Sequence, residues 1–405
     1  MSQISLTPKR AFAVTATLGL LSLFPPLATD MYLAALGDLA ASMNATHTAA
    51  ELSLSIFFLG LCFGQILVGP LTDTYGRKRP LLVGTVLFTV TSIALPLMND
   101  IAWFNALRFL QAIGASAGMV VGRAMVKDLY EGQKAAKVMT VLVMLLTLGP
   151  IASPTMGSLL LEAFGWRSIF ATMALISLVA LTLSVVTLPE TLPAQDRQPA
   201  PIHNGLKAAK RLLSQRGFVT MALVAGLIQS GMFAFITGSS GVFQGIFGLS
   251  SIGFGIMFAI IATALIIFGR INGILLNRFR PEQILKTALP LFAASTILLT
   301  FLSQTDTLLV FVVPLWASIG LVGLLSANAM SLAMELTKAA AGMGSALLGA
   351  IQFALAFTVS SFVAVGGASS ALPMALGIAI PACAASLLYF VTRRSSESEN
   401  SIVEL

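Results

Sequence analysis

Stretches of about twenty apolar residues, enough for a helix to cross a hydrocarbon layer, recur from one end of this 405-residue chain to the other. No other feature constrains its fold as tightly. Inside a bilayer no water is available to pair with backbone N–H and C=O groups, so each stretch has to be helical. The runs fall near 11–35, 52–71, 80–98, 102–122, 138–160 and 168–188, and again near 217–242, 251–269, 287–303, 307–330, 341–365 and 371–392. Charged residues make up 10% of the chain, against roughly 25% in a soluble domain, too few to cover a surface facing water. The reading is an all-α membrane protein with twelve transmembrane helices. Lys9 and Arg10 ahead of the first run have the look of a signal peptide, but that run exceeds a signal's apolar core and many more follow, so it reads as a retained span. Cys62 and Cys383 each sit inside an apolar run and read as small packing residues, with neither a disulfide nor a metal site implied.

The basic residues set an orientation. Lys9 and Arg10, Arg77 to Arg79, Arg123 to Lys137, Arg197 to Arg216, Arg270 to Lys286, Lys338, and Arg393 with Arg394 all fall in segments on one side of a twelve-span topology. They account for 21 of the 23 Lys and Arg. The positive-inside bias therefore places both termini in the cytoplasm. It also explains the net charge of +7 without a nucleic-acid partner. The longest polar stretch, Pro189 to Arg216, divides six spans from six. The expected organisation is a six-helix bundle over 1–188, a cytoplasmic linker over 189–216 and a second six-helix bundle over 217–405, the arrangement of a two-bundle transporter. A short amphipathic helix is expected in the linker from Leu206 to Leu213.

The chain has no G-x-x-x-x-G-K-[ST] phosphate loop, which argues against an ATP-driven pump. Its two histidines, His47 and His203, lie in an outer loop and in the linker, away from any nucleophile or metal-ligand cluster, so the chain does not read as an enzyme and no cofactor is called for.

Four motifs carry a resemblance. The loop after the second run reads GPLTDTYGRKRP, Gly69 to Pro80: a tight basic turn in which Gly69 and Gly76 allow unusual backbone angles and Asp73 can pair with a helix end or with bases. The fourth run holds LRFLQAIGASAG, with Arg108 and Gln111 three apart on one face and Gly114 and Gly118 four apart for close packing. The fifth holds GPIASPTMGS, with Gly149, Pro150, Ser153, Pro154, Gly157 and Ser158. The first run ends LATDMYLAAL, Leu27 to Leu36, and FGWRSIF and LPET (Leu188 to Thr191) follow later in the first half. Together these resemble the major facilitator superfamily, and within it the Bcr/CflA type of drug/proton antiporter. The departures are Thr74 where a basic residue is usual, Ala112 and Ile113 standing before the glycine of the fourth-run motif, Ser153 and Ser158 where glycines are usual, and Ala34 or Ala35 where a proline is usual.

The resemblance implies the major facilitator fold in a bacterial inner membrane, with protons and a small molecule as partners in a lipid setting, acting as a monomer. It implies export of small, moderately apolar, drug-like molecules in exchange for protons by alternating access. Export of a natural metabolite by the same fold is the alternative, and a non-transporting membrane receptor or scaffold comes third. By the same resemblance, Gly69, Asp73, Gly76 and Arg77, with Asp128 as ion-pair partner, form a conformational latch that holds the outward-open state. Gly149, Pro150, Pro154 and Gly157 carry the antiporter motif.

Only Asp30 and Arg108 are ionisable acids or bases inside these runs. Both lie about 9 Å deep from the same side, at 1.5 Å of helix rise per residue. A direct or water-bridged pair is expected. Burial disfavours the Asp30 charge and Arg108 favours it, so opening to either side would let the carboxyl bind and release a proton in opposition to substrate. Tyr32, Gln65, Gln111, Gln229, Asn328 and Gln352, among Met and Phe residues, are the expected lining of the substrate cavity.

Overall fold

A computed structural model describes residues 7–130, 132–197, 201–337 and 341–403, and these form helices and turns with no strand among them. Tertiary contacts group the chain into two compact units. The first comprises Met1–Lys207 with Leu249–Ala259, and the second Ala208–Gly248 with Ile260–Leu405.

The first unit opens with a broken span: α1 (Pro8–Ser22), α2 (Phe24–Asp30), a 3₁₀ turn (Leu33–Ala35) and α3 (Leu36–Ser42). Pro25 and Pro26 explain the first break, because proline is accepted in the first turn of a helix and not further in. Four long helices follow: α4 (His47–Tyr75), α5 (Lys78–Ala94), α6 (Ile101–Leu129) and α7 (Gly132–Phe164). α8 (Trp166–Thr187) ends this series, and the linker contains α9 (Pro201–Leu213). α9 covers the amphipathic segment expected from Leu206 to Leu213. After the linker come α10 (Arg216–Ser240, continued by a π-turn to Ile246), α11 (Ser251–Leu275), α12 (Pro281–Phe301), α13 (Leu308–Glu335), α14 (Ala341–Gly366) and α15 (Leu372–Val403), all in the second unit except the start of α11, which groups with the first.

Among the described residues eleven helices are long and apolar enough to cross a membrane. The fifth predicted run falls within α7, a continuous helix of 33 residues, about 50 Å at helical rise. Lys338, assigned above to a cytoplasmic segment, lies outside the described residues.

The helices outrun the apolar stretches that signalled them. α4 starts at His47 because the Thr46 hydroxyl accepts from the Ala49 N–H at 3.2 Å, a cap worth about 1 kcal/mol. α6 starts after Asp100, whose carboxylate accepts from the N–H groups of Ala102 and Trp103. α4 thereby takes in Glu51 and Asp73, and α6 takes in Arg123, Lys127 and Asp128, all beyond the apolar runs read from the sequence. One correction follows. Gly69 does not belong to the turn at all; it sits inside α4, which runs on to Tyr75, and only Gly76 adopts a positive φ, of 86°.

The sidedness of the helices is that of a protein in lipid. Large apolar side chains face outward, among them Val83, Trp103, Leu175, Val186, Leu309 and Val365. Hydroxyl and amide groups are turned inward, as at Ser53, Ser92, Gln111, Ser116, Ser230 and Ser318. Most of their hydroxyls return to carbonyls one turn back, as Ser92 does to Phe88 at 2.6 Å, which satisfies the donor within its own helix in a dry interior. Small residues bring the helices close: a Cβ added at Gly60 of α4 would lie 2.4 Å from the Phe109 carbonyl oxygen of α6.

Candidate functional site

The break in the first span generates the site. Where α2 stops at Asp30, its last carbonyls lose their partners four residues on. Arg108, fully buried on α6, supplies one: its Nη2 donates to the Ala28 carbonyl at 2.8 Å, and its Nη1 donates to Gln111 Oε1 at 2.6 Å. Gln111 is held in turn by donating from Nε2 to Ser92 Oγ at 2.8 Å. The guanidinium lies 4.5 Å from the Tyr32 ring centre and 4.4 Å from that of Phe57. A cation at a helix C-terminus and over aromatic faces is favourable on both counts, which accounts for its place in an apolar unit.

Asp30 is also buried, but it makes no ion pair with Arg108 within 4.0 Å. The expected direct pair is therefore corrected. The equal-depth argument assumed the first span ends near Ala35. It runs to Ser42, so Asp30 is a dozen residues from that end while Arg108 is seven from Ile101. Asp30 Oδ1 instead lies 2.7 Å from Thr29 Oγ1, which is also 2.9 Å from the Pro25 carbonyl oxygen. The Tyr32 hydroxyl lies 2.7 Å from Ser53 Oγ on α4.

α7 packs on the same break. A Cβ on Gly157 would collide with the Met31 carbonyl oxygen, and one on Gly149 would fall 2.8 Å from the Pro26 ring. Pro150 and Pro154 sit within this continuous helix. Ser153 between them is buried, and its hydroxyl lacks a partner. The small-residue stripe thus abuts the discontinuity that presents Asp30.

The other expected cavity residues divide between the units. Gln65 is buried in the first, with its Nε2 unpartnered. In the second, Gln229 Oε1 accepts from Ser326 Oγ at 2.9 Å, and Asn328 Nδ2 donates to Asn272 Oδ1 at 2.7 Å. Gln352 is half-buried on α14.

At the opposite end of the first unit lies the basic turn. Arg77 Nη1 donates to Asp73 at 2.6 Å and Nε to Asp128 at 3.1 Å. Thr191 Oγ1 donates to the same Asp128 oxygen at 2.8 Å. Sequence reasoning missed the centre of this cluster, Glu190 of the LPET segment. Its two carboxylate oxygens accept from the backbone N–H groups of Arg77 at 2.8 Å and Lys78 at 3.2 Å, capping α5 from more than a hundred residues away. Gly76 is doubly required. It has a positive φ, and a Cβ there would displace the Glu190 carboxylate from its place over the turn.

Comparison with known proteins agrees with this architecture. A family profile described as Major Facilitator Superfamily matches residues 18–361. An uncharacterized MFS-type transporter, YdgK, of Bacillus subtilis is 33% identical over 98% of this chain and 99% of its own. A bicyclomycin resistance protein homolog of Haemophilus influenzae is 29% identical over 96% and 98%, and a chloramphenicol resistance protein of Pseudomonas aeruginosa is 31% identical over 80% and 76%. Among solved structures, a D-xylose-proton symporter superposes with a TM-score of 0.75 over 94% of this chain and 96% of its own, at 16% identity, which speaks to fold alone. The chain is a multi-pass membrane transporter, not an enzyme, and belongs to the Major Facilitator Superfamily, with relatives of the drug-resistance type.

Proposed function

We propose that the protein exports small, moderately apolar organic molecules from the bacterial cytoplasm across the inner membrane in exchange for protons. In this reading, bundles 1–188 and 217–405 alternate access about the linker 189–216, as a monomer with both termini cytoplasmic. The observation that carries it is the contact set of Asp30. Thr29 has one hydroxyl proton and two oxygens close by, Pro25 O at 2.9 Å and Asp30 Oδ1 at 2.7 Å, with Pro26 O more distant at 3.5 Å. Both contacts are satisfied together when Asp30 is protonated: its O–H donates to Thr29 Oγ1, and Thr29 donates to Pro25 O. A carboxyl that can be accommodated as the acid, in an apolar unit and next to a helix break, is suited to taking up and giving back a proton as its surroundings open. Arg108 fixes the break through Ala28, and Gly149, Pro150, Pro154 and Gly157 let α7 pack against it. Asp73, Gly76, Arg77 and Asp128 serve as the latch. Tyr32, Gln65, Gln111, Gln229, Asn328 and Gln352 line the path of the substrate.

The names of the relatives support drug-like substrates over a natural metabolite: two are called resistance proteins, for bicyclomycin and chloramphenicol. The test is uptake of a compound panel that includes both drugs into liposomes holding the purified protein, under an imposed pH gradient. Wild type should concentrate at least one compound when the gradient is present and only then. Asp30→Asn should bind that compound yet lose dependence on the gradient. Gradient-driven accumulation by Asp30→Asn, at normal protein levels, would falsify the coupling role.

A further inference from the structure

A second acid is buried in the first unit, and nothing above uses it. Glu51 lies one turn into α4, with its side chain 2% exposed. Its Oε1 is 3.4 Å from Nδ1 of His47, whose own side chain is 33% exposed. Its Oε2 is buried and has no hydrogen-bond partner. A carboxylate buried without a cation at hand is costly to keep ionised, and a free oxygen in a dry place leaves room for a proton. The imidazole is part-exposed, and its Nδ1, buried beside the acid at 3.4 Å, is not hydrogen-bonded in this arrangement, so the two groups meet without being locked together.

Within this unit α4 packs against α3, α5 and α6. The titratable and charged groups these bring are Asp38 of α3, which is exposed, Lys78 and Arg79 at the far end of α5, and on α6 Arg108, Arg123, Lys127 and Asp128. Asp100, which caps α6, is also exposed. Arg108 is committed to Ala28 and Gln111, and none of these groups makes an ion pair with His47 or Glu51 within 4.0 Å.

We infer that His47 and Glu51 form a proton-loading pair at the mouth of the first unit, distinct from Asp30, through which protons reach the transport cycle. The inference rests on the proton-coupled reading and on the topology that puts the turn before α4 outside the membrane. The transfer balances without any co-reactant. A hydronium ion gives its proton to Nε2 of the neutral imidazole, which starts with its own proton on Nδ1, and leaves as water; the imidazolium passes its Nδ1 proton to the Glu51 carboxylate at Oε1; a neutral imidazole bearing its proton on Nε2 and a neutral carboxylic acid remain. Tautomer exchange through solvent resets the ring. Asp30 is then the group that couples, and the pair sets how fast and over what outside pH it is supplied.

The probe is the proton itself. The full chain in lipid nanodiscs is taken from alkaline to acid pH, and the carboxylic C=O absorption is followed by infrared difference spectroscopy. Proton uptake after a pH jump is timed with an external dye. Glu51→Gln should lose one carboxylic band, different from the one lost in Asp30→Asn. His47→Asn should keep that band but take up the proton about a hundredfold more slowly, the low end of what a positioned acid–base group contributes. Glu51→Asp, which keeps the acid, covers the case in which the glutamine variant does not fold, and it should show the band shifted. A folded Glu51→Gln spectrum superimposable on wild type would overturn the inference, as would uptake in His47→Asn at the wild-type rate. If wild type shows no gradient-driven transport, the proton-coupled reading fails, while the band of Glu51 still reports on the pair.

Discussion

Arg108 is the residue on which the first unit's centre depends, and its planar fork explains why lysine cannot stand in. Two separate nitrogens reach Ala28 and Gln111 while the plane lies over Tyr32 and Phe57. A lysine ammonium can keep one of those acceptors but not the stacking. Arg108→Lys is therefore expected to fold with a lower thermal midpoint in detergent, reflecting one lost charge-assisted hydrogen bond of about 1.5–3 kcal/mol. An unchanged midpoint would mean that the second of the two hydrogen bonds and the stacking contribute nothing to stability. Asp30 and Arg108 were legible in the sequence because a charge inside an apolar run is conspicuous. Their relation was not, since spacing along two helices says nothing about which acceptor a side chain turns to. Glu51 was hidden for a different reason. Hydropathy marks where lipid contact begins, not where the backbone becomes helical. Thr46 followed by His47 and Glu51 was the available signal: a capping hydroxyl and a pair four residues apart, facing the same way.

At the level of elements, two contacts hold pieces together that the chain presents far apart. Glu190 caps α5 through the backbone N–H groups of Arg77 and Lys78. No local pattern reveals it, because the cap comes from a segment 113 residues away. Glu190→Ala should expose both amides. Hydrogen exchange at Arg77 and Lys78 is expected to quicken by the equivalent of about 1 kcal/mol, a typical capping energy, with amides in the middle of α5 unaffected. Equal exchange in both proteins would show that the carboxylate is not a cap. Gly157 makes the second contact. α7 touches the broken span where any side chain would collide with the Met31 carbonyl. Gly157→Val has to push α7 away, at an overpacking cost of about 1–3 kcal/mol. It should lower the thermal midpoint more than Gly165→Ala, where a Cβ meets nothing within 4 Å and only the positive φ of 78° opposes it. The small-residue stripe was readable from spacing alone. Its target, a backbone carbonyl freed by a helix break, was not.

For the whole molecule the decisive quantity is the distribution of charge between its two faces. Basic residues interact strongly with the cytoplasmic side during insertion and weakly with the other, and 21 of 23 Lys and Arg lie in segments assigned to one side. Reversing the protein would carry that many bases across the membrane, so one orientation should dominate completely. The two cysteines, both free, can be replaced by serine to give a background for labelling. A single cysteine is then placed either at Thr307, just before α13, or at Gln215, just before α10. Both positions precede a helix and are solvent-accessible or nearly so, so access to reagent, not burial, decides the outcome. In intact cells a membrane-impermeant maleimide should label the Thr307→Cys protein and leave the Gln215→Cys protein unlabelled. After permeabilisation both should react. Labelling of Gln215→Cys in intact cells would place the linker outside, and with it the basic turn at Arg77 and both termini. It would also turn the His47 end of the first unit toward the cytoplasm, so the proton-loading pair could no longer collect from the acidic side.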